Sequence, residues 1–330
     1  MAELATTYMG LVLKNPLIIG SSGLTSSVDR IKELEANGAA AVVLKSLFEE
    51  EILLDTKNHL ESAKKDPLIY SELSETLDYI DLHIKEDSIS RYLNLLRNSK
   101  KEVLIPVIAS INCVSDSGWT NFAEKIEDAG ADGLELNIFL NPADNSGHDF
   151  EKTYHDIINK VLSKVKIPVS VKLSPYFTKP YHFFRSISAA GIKGMVLFNR
   201  FYLPDIDIIN LKMKEADIYS TPYEFNQVLK WIGILSGKLS CSLAASTGIH
   251  DASGIIKQIL AGADAVQVVS AIYKNGPQVI NQMVSELEKW MDEKGFTNLG
   301  QFKGILNFEQ TTNPAVYERI QFMKYYSGIY

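Results

Sequence analysis

The sequence predicts a (β/α)8 TIM barrel, the α/β fold in which eight parallel strands alternate with helices, and three observations carry that prediction. Four glycine-led steps, Gly38-Ala39, Gly130-Ala131, Gly191-Ile192 and Gly262-Ala263, each run into a short apolar segment: Ala40 to Leu44, Gly133 to Ile138, Gly194 to Phe198 and Ala265 to Val269. Between them lie Pro16 to Ser21, Pro106 to Ile111 and Pro168 to Leu173, each opened by proline, and a fourth run, Leu239 to Ala245. Apolar runs without polar alternation are what strands covered on both faces look like. Helical patterns separate consecutive runs, so strand and helix alternate eight times within 330 residues. Such a barrel carries its chemistry at the carboxyl ends of its strands.

Each element follows in order. Tyr8 to Leu11 and Val12 to Lys14 read as an N-terminal hairpin or plug ahead of the first strand. Helix 1 opens at Ser26 or Ser27 and closes at Asn37-Gly38, a natural cap pair. Strand 2 ends at Lys45-Ser46, and the charged segment from Leu47 to Ile89 is too long for a plain loop. Long ordered insertions at this face form lids, substrate walls or subunit contacts. Strand 3 ends at Ser110-Ile111-Asn112, ahead of a helix from Trp119 to Ala129. Strand 4 ends at Glu135-Leu136-Asn137, and a polar loop from Asn141 to Gly147 leads to a helix from Phe150 to Val165. Strand 5 ends at Lys172 and strand 6 at Phe198-Asn199-Arg200, followed by a second long insertion with a short hairpin around Ile206 to Ile209. Strand 7 runs into Ser246-Thr247-Gly248 and strand 8 into Val269-Ser270, and the last barrel helix spans Pro277 to Lys294. The chain reads as one domain over residues 1–330.

Composition narrows the function classes. A net charge of −7, with no cluster of basic and aromatic residues, argues against a nucleic-acid partner. Cys113 and Cys241 share no short spacing and read as reduced thiols of a cytoplasmic protein. His59, His83, His148, His155, His182 and His250 are scattered without metal-ligand spacing, so no metal site is expected. Neither a signal peptide nor an apolar stretch of the ~20 residues needed for a membrane span is visible.

Seven residues on from Gly38 and Gly130 stand Lys45 and Asn137, and from Gly191 the count reaches Phe198, next to Asn199. The proline-led strands place Asn112 and Lys172 in the same layer, so two lysines and three asparagines ring the mouth. Lysine is rarely buried alone, and two at strand ends imply negative charge between them. An isoalloxazine ring fits: its amide edge suits asparagine, and its reduced form carries charge near N1 that a lysine stabilises. The plainer alternative pairs each lysine with a carboxylate, Glu49 or Glu135. A second signal is the pair of turns Ser246-Thr247-Gly248 and Val269-Ser270, placed where these barrels bind phosphate through backbone N–H groups. The alternative there is helix capping by Thr247 or Ser270. Ser21-Ser22-Gly23 is a polar turn that allows close approach to a flat ring, and Tyr176, Asp144 and His148 stand in mouth loops.

These residues resemble the dihydroorotate dehydrogenase superfamily, in particular its soluble, class 1-like bacterial branch. The resemblance is carried by Ala5 to Tyr8, Lys14 to Leu17, Ser21 to Gly23, Val43 to Ser46, Glu135 to Asn137, Val171 to Phe177 and Leu260 to Asp264. It implies a flavoprotein oxidoreductase with FMN across the barrel mouth, acting in pyrimidine biosynthesis on dihydroorotate. Lys45 and Ser46 would lie beside flavin and substrate, with Lys45 and Asn137 positioning the reactants. Asn112, Asn137 and Lys172 would meet the ring or ribityl chain, and Gly248, Val269 and Ser270 the phosphate. A homodimer is also implied. Three positions depart from the family pattern. Val269 replaces a usual glycine, which a backbone donor tolerates while φ stays negative. The general base three residues after the strand-4 asparagine, a cysteine in soluble enzymes, is here Leu140. The orotate-holding segment after strand 2 has no counterpart around Leu68 to Ser71. A flavoenzyme acting on another pyrimidine or enamide-like substrate, or a barrel that binds flavin or phosphate ligands without turnover, are the alternatives.

Overall fold

The computed structural model describes residues 2–48, 73–113, 119–140, 149–200 and 204–318. Outside these residues fall the first part of the strand-2 insertion, with Glu49, His59 and Leu68 to Ser71, and the loop holding Asp144 and His148.

The chain opens with a hairpin, β1 (Thr6–Tyr8) and β2 (Leu11–Leu13), turned through Met9 and Gly10, both at positive φ. Eight segments then form the barrel wall: β3 (Leu17–Ile19), β4 (Ala41–Val43) with its short continuation β5 (Leu47–Phe48), β6 (Val107–Cys113), β7 (Gly133–Ile138), β8 (Val169–Leu173), β9 (Gly194–Leu197), β12 (Ser242–Ser246) and β13 (Ala265–Val268). All neighbours pair in parallel, and the β4–β6 and β13–β3 pairings close the ring. Strand 7 begins at Ser242, later than Leu239, because Ser240 is turned aside by hydrogen bonds to Ser188. The second insertion supplies an antiparallel ribbon, β10 (Pro204–Asp207) and β11 (Lys212–Glu215), so Ile208 and Ile209 lie at its tip rather than in a strand.

The wall is flanked by α1 (Val28–Ala36), α2 (Leu73–Glu102), α3 (Trp119–Asp128), α4 (Phe150–Leu162), α5 (Pro180–Ala189), α6 (Phe225–Leu235), α7 (Ala252–Ala261), α8 (Ser270–Asn275) and α9 (Val279–Lys294). The later part of the strand-2 insertion, from Leu73, is the first part of the 30-residue α2, which continues as a barrel helix. The glycine repeat has a backbone cause. Gly38, Gly130, Gly191 and Gly262 all have φ between +90° and +115°, the left-handed geometry that stops a helix and feeds the next strand.

Inside the barrel, Ile18, Ala41, Val43, Ile108, Val196, Ala244 and Ala265 pack with Tyr8, Met9 and Leu13 of the hairpin. The hairpin therefore plugs the amino-terminal end. Room for it comes from missing side chains: a Cβ on Gly133 would stand 2.8 Å from Met9 Cε, and one on Gly194 2.8 Å from the Tyr8 hydroxyl. Above this apolar floor the inward positions turn polar. Ser110, Glu135 and Ser170 share one register layer, and Asn112, Asn137 and Lys172 the next.

Candidate active site

Strand 2 does not run straight into the mouth. It stops at Val43 and resumes at Leu47, and the three-residue break carries Lys45 and Ser46. The break deprives Ser110 on β6 of part of its ladder, and a side chain takes over. Tyr92 of α2 accepts from Ser110 N–H at 2.7 Å and donates to Ser110 C=O at 3.0 Å. Burial pushes the Tyr92 hydroxyl well above its ordinary range, so it keeps the proton this geometry needs. Ser46 is tied in from both sides: its N–H donates to Ser21 Oγ at 2.9 Å, and its hydroxyl meets Ser110 Oγ at 2.6 Å.

Above these contacts opens a cavity of about 530 Å³, bounded by the strand ends and the turns after them. That is within the usual size of a cofactor site. Of the residues expected from sequence, Ser21, Ser22, Lys45, Ser46, Asn137, Lys172, Asn199, Thr247, Gly248, Val269 and Ser270 line it. Asn112 does not. It is buried beneath, with Oδ1 unpartnered, and its register partner Phe48 lines the cavity instead. Asn199 donates from Nδ2 to Asn137 Oδ1 at 2.8 Å, which leaves Asn137 Nδ2 and Asn199 Oδ1 for a ligand.

Two inward residues, Glu135 and Gln267, were not singled out as ligands by sequence. Glu135 is 1% exposed and Lys172 8% exposed, and Gln267 stands between them. Lys172 Nζ donates to Gln267 Oε1 at 2.9 Å, and Gln267 Nε2 donates to Glu135 Oε2 at 2.6 Å. Gly20 makes space for this amide, since a Cβ there would lie 3.3 Å from Gln267 Oε1. Burial pushes Lys172 down and Glu135 up, each opposed by the other's charge. The carboxylate alternative for Lys172 is thus met through a bridging amide. The usable signal was parity: Glu135 lies two residues before Asn137, and Gln267 two before Val269, inside otherwise apolar runs.

The turns after β12 and β13 differ in backbone. Thr247 and Gly248 sit at φ +85° and +77°, and a Cβ on Gly248 would stand 2.5 Å from Phe225 N, so this position excludes any side chain. Val269 has φ −138° and ψ −61°, so its φ is negative although the residue lies outside the main helical and extended regions.

One wall had no signal in the sequence. Ile218, Tyr219 and Ser220, between β11 and α6, form the outer side of the cavity. Arg200 pins this strap, donating from Nη1 to Ile218 O at 2.8 Å, from Nη2 to Asp217 O at 2.9 Å and from Nε to Glu224 Oε2 at 2.8 Å. Ser220 meets α8 and its approach: its N–H donates to Ser270 Oγ, its carbonyl accepts from Lys274 Nζ, and its hydroxyl faces His250 Nε2.

A barrel with this polar mouth matches a known sequence model. The model described as dihydroorotate dehydrogenase covers residues 3–291. The chain belongs to the dihydroorotate dehydrogenase family. It is similar to the dihydroorotate dehydrogenase B (NAD(+)) catalytic subunit of Thermoplasma volcanium, 26% identical over 92% of this chain and 99% of the relative. The subunit of the same description from Thermoplasma acidophilum is 25% identical over the same shares. Dihydroorotate dehydrogenase A (fumarate) of Lactococcus lactis is 23% identical over 92% of this chain and 99% of its own length. As a dihydroorotate dehydrogenase family member, the chain is an FMN-dependent oxidoreductase acting on CH–CH bonds. The residues present fit that cofactor: a buried ammonium, paired amides with free donor and acceptor, and two tight turns surround one cavity. Among the described residues no group of histidine, cysteine and acidic side chains is placed to hold a metal ion, and no helix is long and apolar enough to cross a membrane.

Proposed function

We propose that this protein transfers hydride between FMN and a small cyclic, anionic or amide-bearing substrate, with dihydroorotate-to-orotate oxidation as the nearest defined reaction. The observation that carries the reading is the Lys172 ammonium, buried on the cavity floor within a ring of amide side chains. Bound FMN supplies a two-electron carrier at the barrel mouth. In this reading Lys172 compensates negative charge on the ring, while Asn137 and Asn199 complement its amide edge. Ser21 and Ser22 let the chain approach the ring closely. The turns at Thr247-Gly248 and Val269-Ser270 take the phosphate, and the strap pinned by Arg200 retains that end. Lys45 and Ser46, in the strand-2 break, stand beside ring and substrate. A cytoplasmic setting and a homodimer belong to the same reading.

Leu140 bears on the choice of substrate. It packs against the apolar core cluster and cannot take a proton. A positioned base is worth about 10²–10⁴ in rate, so oxidation of dihydroorotate needs a base from another segment. Reduction of a pyrimidine or enamide-like substrate, with the proton supplied from elsewhere, is the second reading that Leu140 favours.

Anaerobic mixing of the flavin-loaded protein with dihydroorotate tests the first. Bleaching of the yellow band within seconds to minutes is expected, and no bleaching removes that substrate. Reoxidation of the photoreduced protein by orotate, uracil or a simple enamide tests the second. Protein purified colourless and unshifted in melting temperature by FMN would overturn both.

A further inference from the structure

Glu135 has no part in the reading above, yet it is the most deeply placed acid at the site. It is 1% exposed, lines the cavity floor, and spends one carboxylate oxygen on Gln267 while the other, Oε1, has no partner among the described residues. A buried carboxylate is costly and is kept where its charge is answered. The answering charge is Lys172, reached through a single amide whose two ends are both in use. Gln267 cannot reverse without setting its NH2 against the ammonium and its carbonyl against the carboxylate. The bridge is therefore directional: a fixed carboxylate orients an amide, and the amide orients an ammonium.

We propose that Glu135, acting through Gln267, is a positioning residue that keeps the Lys172 side chain protonated and turned toward the flavin site. The inference rests on the FMN reading of that site. The other ionisable groups lining the cavity are Lys45, Arg200, Tyr219 and Tyr273, with Tyr8 beneath Glu135 in the plug. Lys45 and Arg200 carry the same charge as Lys172 and offer it no counter-charge. That leaves Glu135 as the opposite charge acting on Lys172 among the described residues. Burial lowers the Lys172 proton affinity and Glu135 raises it. Without Glu135, burial acts on Lys172 unopposed and its proton is held less tightly.

The test is FMN affinity, read by quenching of FMN fluorescence between pH 6.5 and 9, with each variant expressed relative to wild type at the same pH. Lys172→Met is expected to bind about 10- to 100-fold more weakly at every pH, the worth of one charge-assisted hydrogen bond. Glu135→Gln keeps shape and polar contacts but not charge. It is expected to bind within about threefold of wild type at pH 6.5 and to fall toward Lys172→Met by pH 9, the loss tracking lysine deprotonation. A Glu135→Gln protein that parallels wild type across the range overturns the inference, as does a loss equal at every pH, which a purely structural role would give. Wild-type protein that binds no FMN overturns the cofactor reading and this inference with it. Should Glu135→Gln fail to fold, the double variant with Lys172→Met decides. If the two charges answer each other, the double variant unfolds at a higher urea concentration than Lys172→Met alone; additive losses overturn the pairing.

Discussion

Arg200→Ala is expected to turn a retained cofactor into one that exchanges. The guanidinium makes three hydrogen bonds to the strap and its anchor, at 2.8, 2.8 and 2.9 Å. The Arg200 and Glu224 side chains are 21% and 33% exposed, so the pair is neither fully buried nor freely solvated. Buried charged hydrogen bonds contribute about 1.5–3 kcal/mol each and exposed pairs 0–1, which places the three together near 2–3 kcal/mol. Ile218, Tyr219 and Ser220 wall the cavity, so opening the strap precedes release at that end. At 1.4 kcal/mol per factor of ten, FMN should leave Arg200→Ala about 30- to 150-fold faster than wild type. Stopped-flow dilution into a flavin trap, following recovered FMN fluorescence, measures this directly. Arg200→Lys keeps the charge but not the fork and should fall between. A release rate within threefold of wild type, in a variant with unchanged circular dichroism, would refute the idea that the strap gates the cofactor.

Other expectations concern the scaffold that shapes the site. Tyr92→Phe removes the group that serves both backbone atoms of Ser110 and should cost about 2–4 kcal/mol in urea unfolding, since two buried polar groups lose partners; a cost below 0.5 kcal/mol would mean strand 2 re-forms its ladder. Gly248→Ala puts a methyl 2.5 Å from Phe225 N at φ +77°, and backbone strain plus overlap should lower stability by about 2–5 kcal/mol and weaken FMN binding with it. An alanine variant as stable as wild type would show that the turn after β12 is free to move.

The strands and the ring of site residues were legible for the same reason. A parallel barrel gives each strand one apolar run and one fixed inward parity, so a polar residue at a run's end declares where it points. Lys172 and Asn137 obeyed that rule, and both line the cavity. Asn112 obeyed the parity and shares the layer of Asn137 and Lys172, yet it is buried, and its ladder partner Phe48 lines the cavity. The break that carries Lys45 was not legible: Val43 to Ser46 reads as continuous strand, and the substitute partner, Tyr92, lies far along the chain in α2. Gln267 was hidden by the apolar residues around it. The strap could not have been found from local pattern, since its contacts join Arg200, Glu224, His250, Ser270 and Lys274 across three turns.

The plug also ties distant parts of the fold together. Tyr8 rests against the Gly194 and Ser170 positions, Thr6 donates to the Asp264 carbonyl, and Glu3 pairs with Thr297. Residues of the hairpin are therefore held by residues far along the chain, across a sequence separation of 258 for Thr6 and Asp264. Contacts this distant form slowly. The apolar floor beneath Glu135 is thus complete only when residues from both ends of the fold have met.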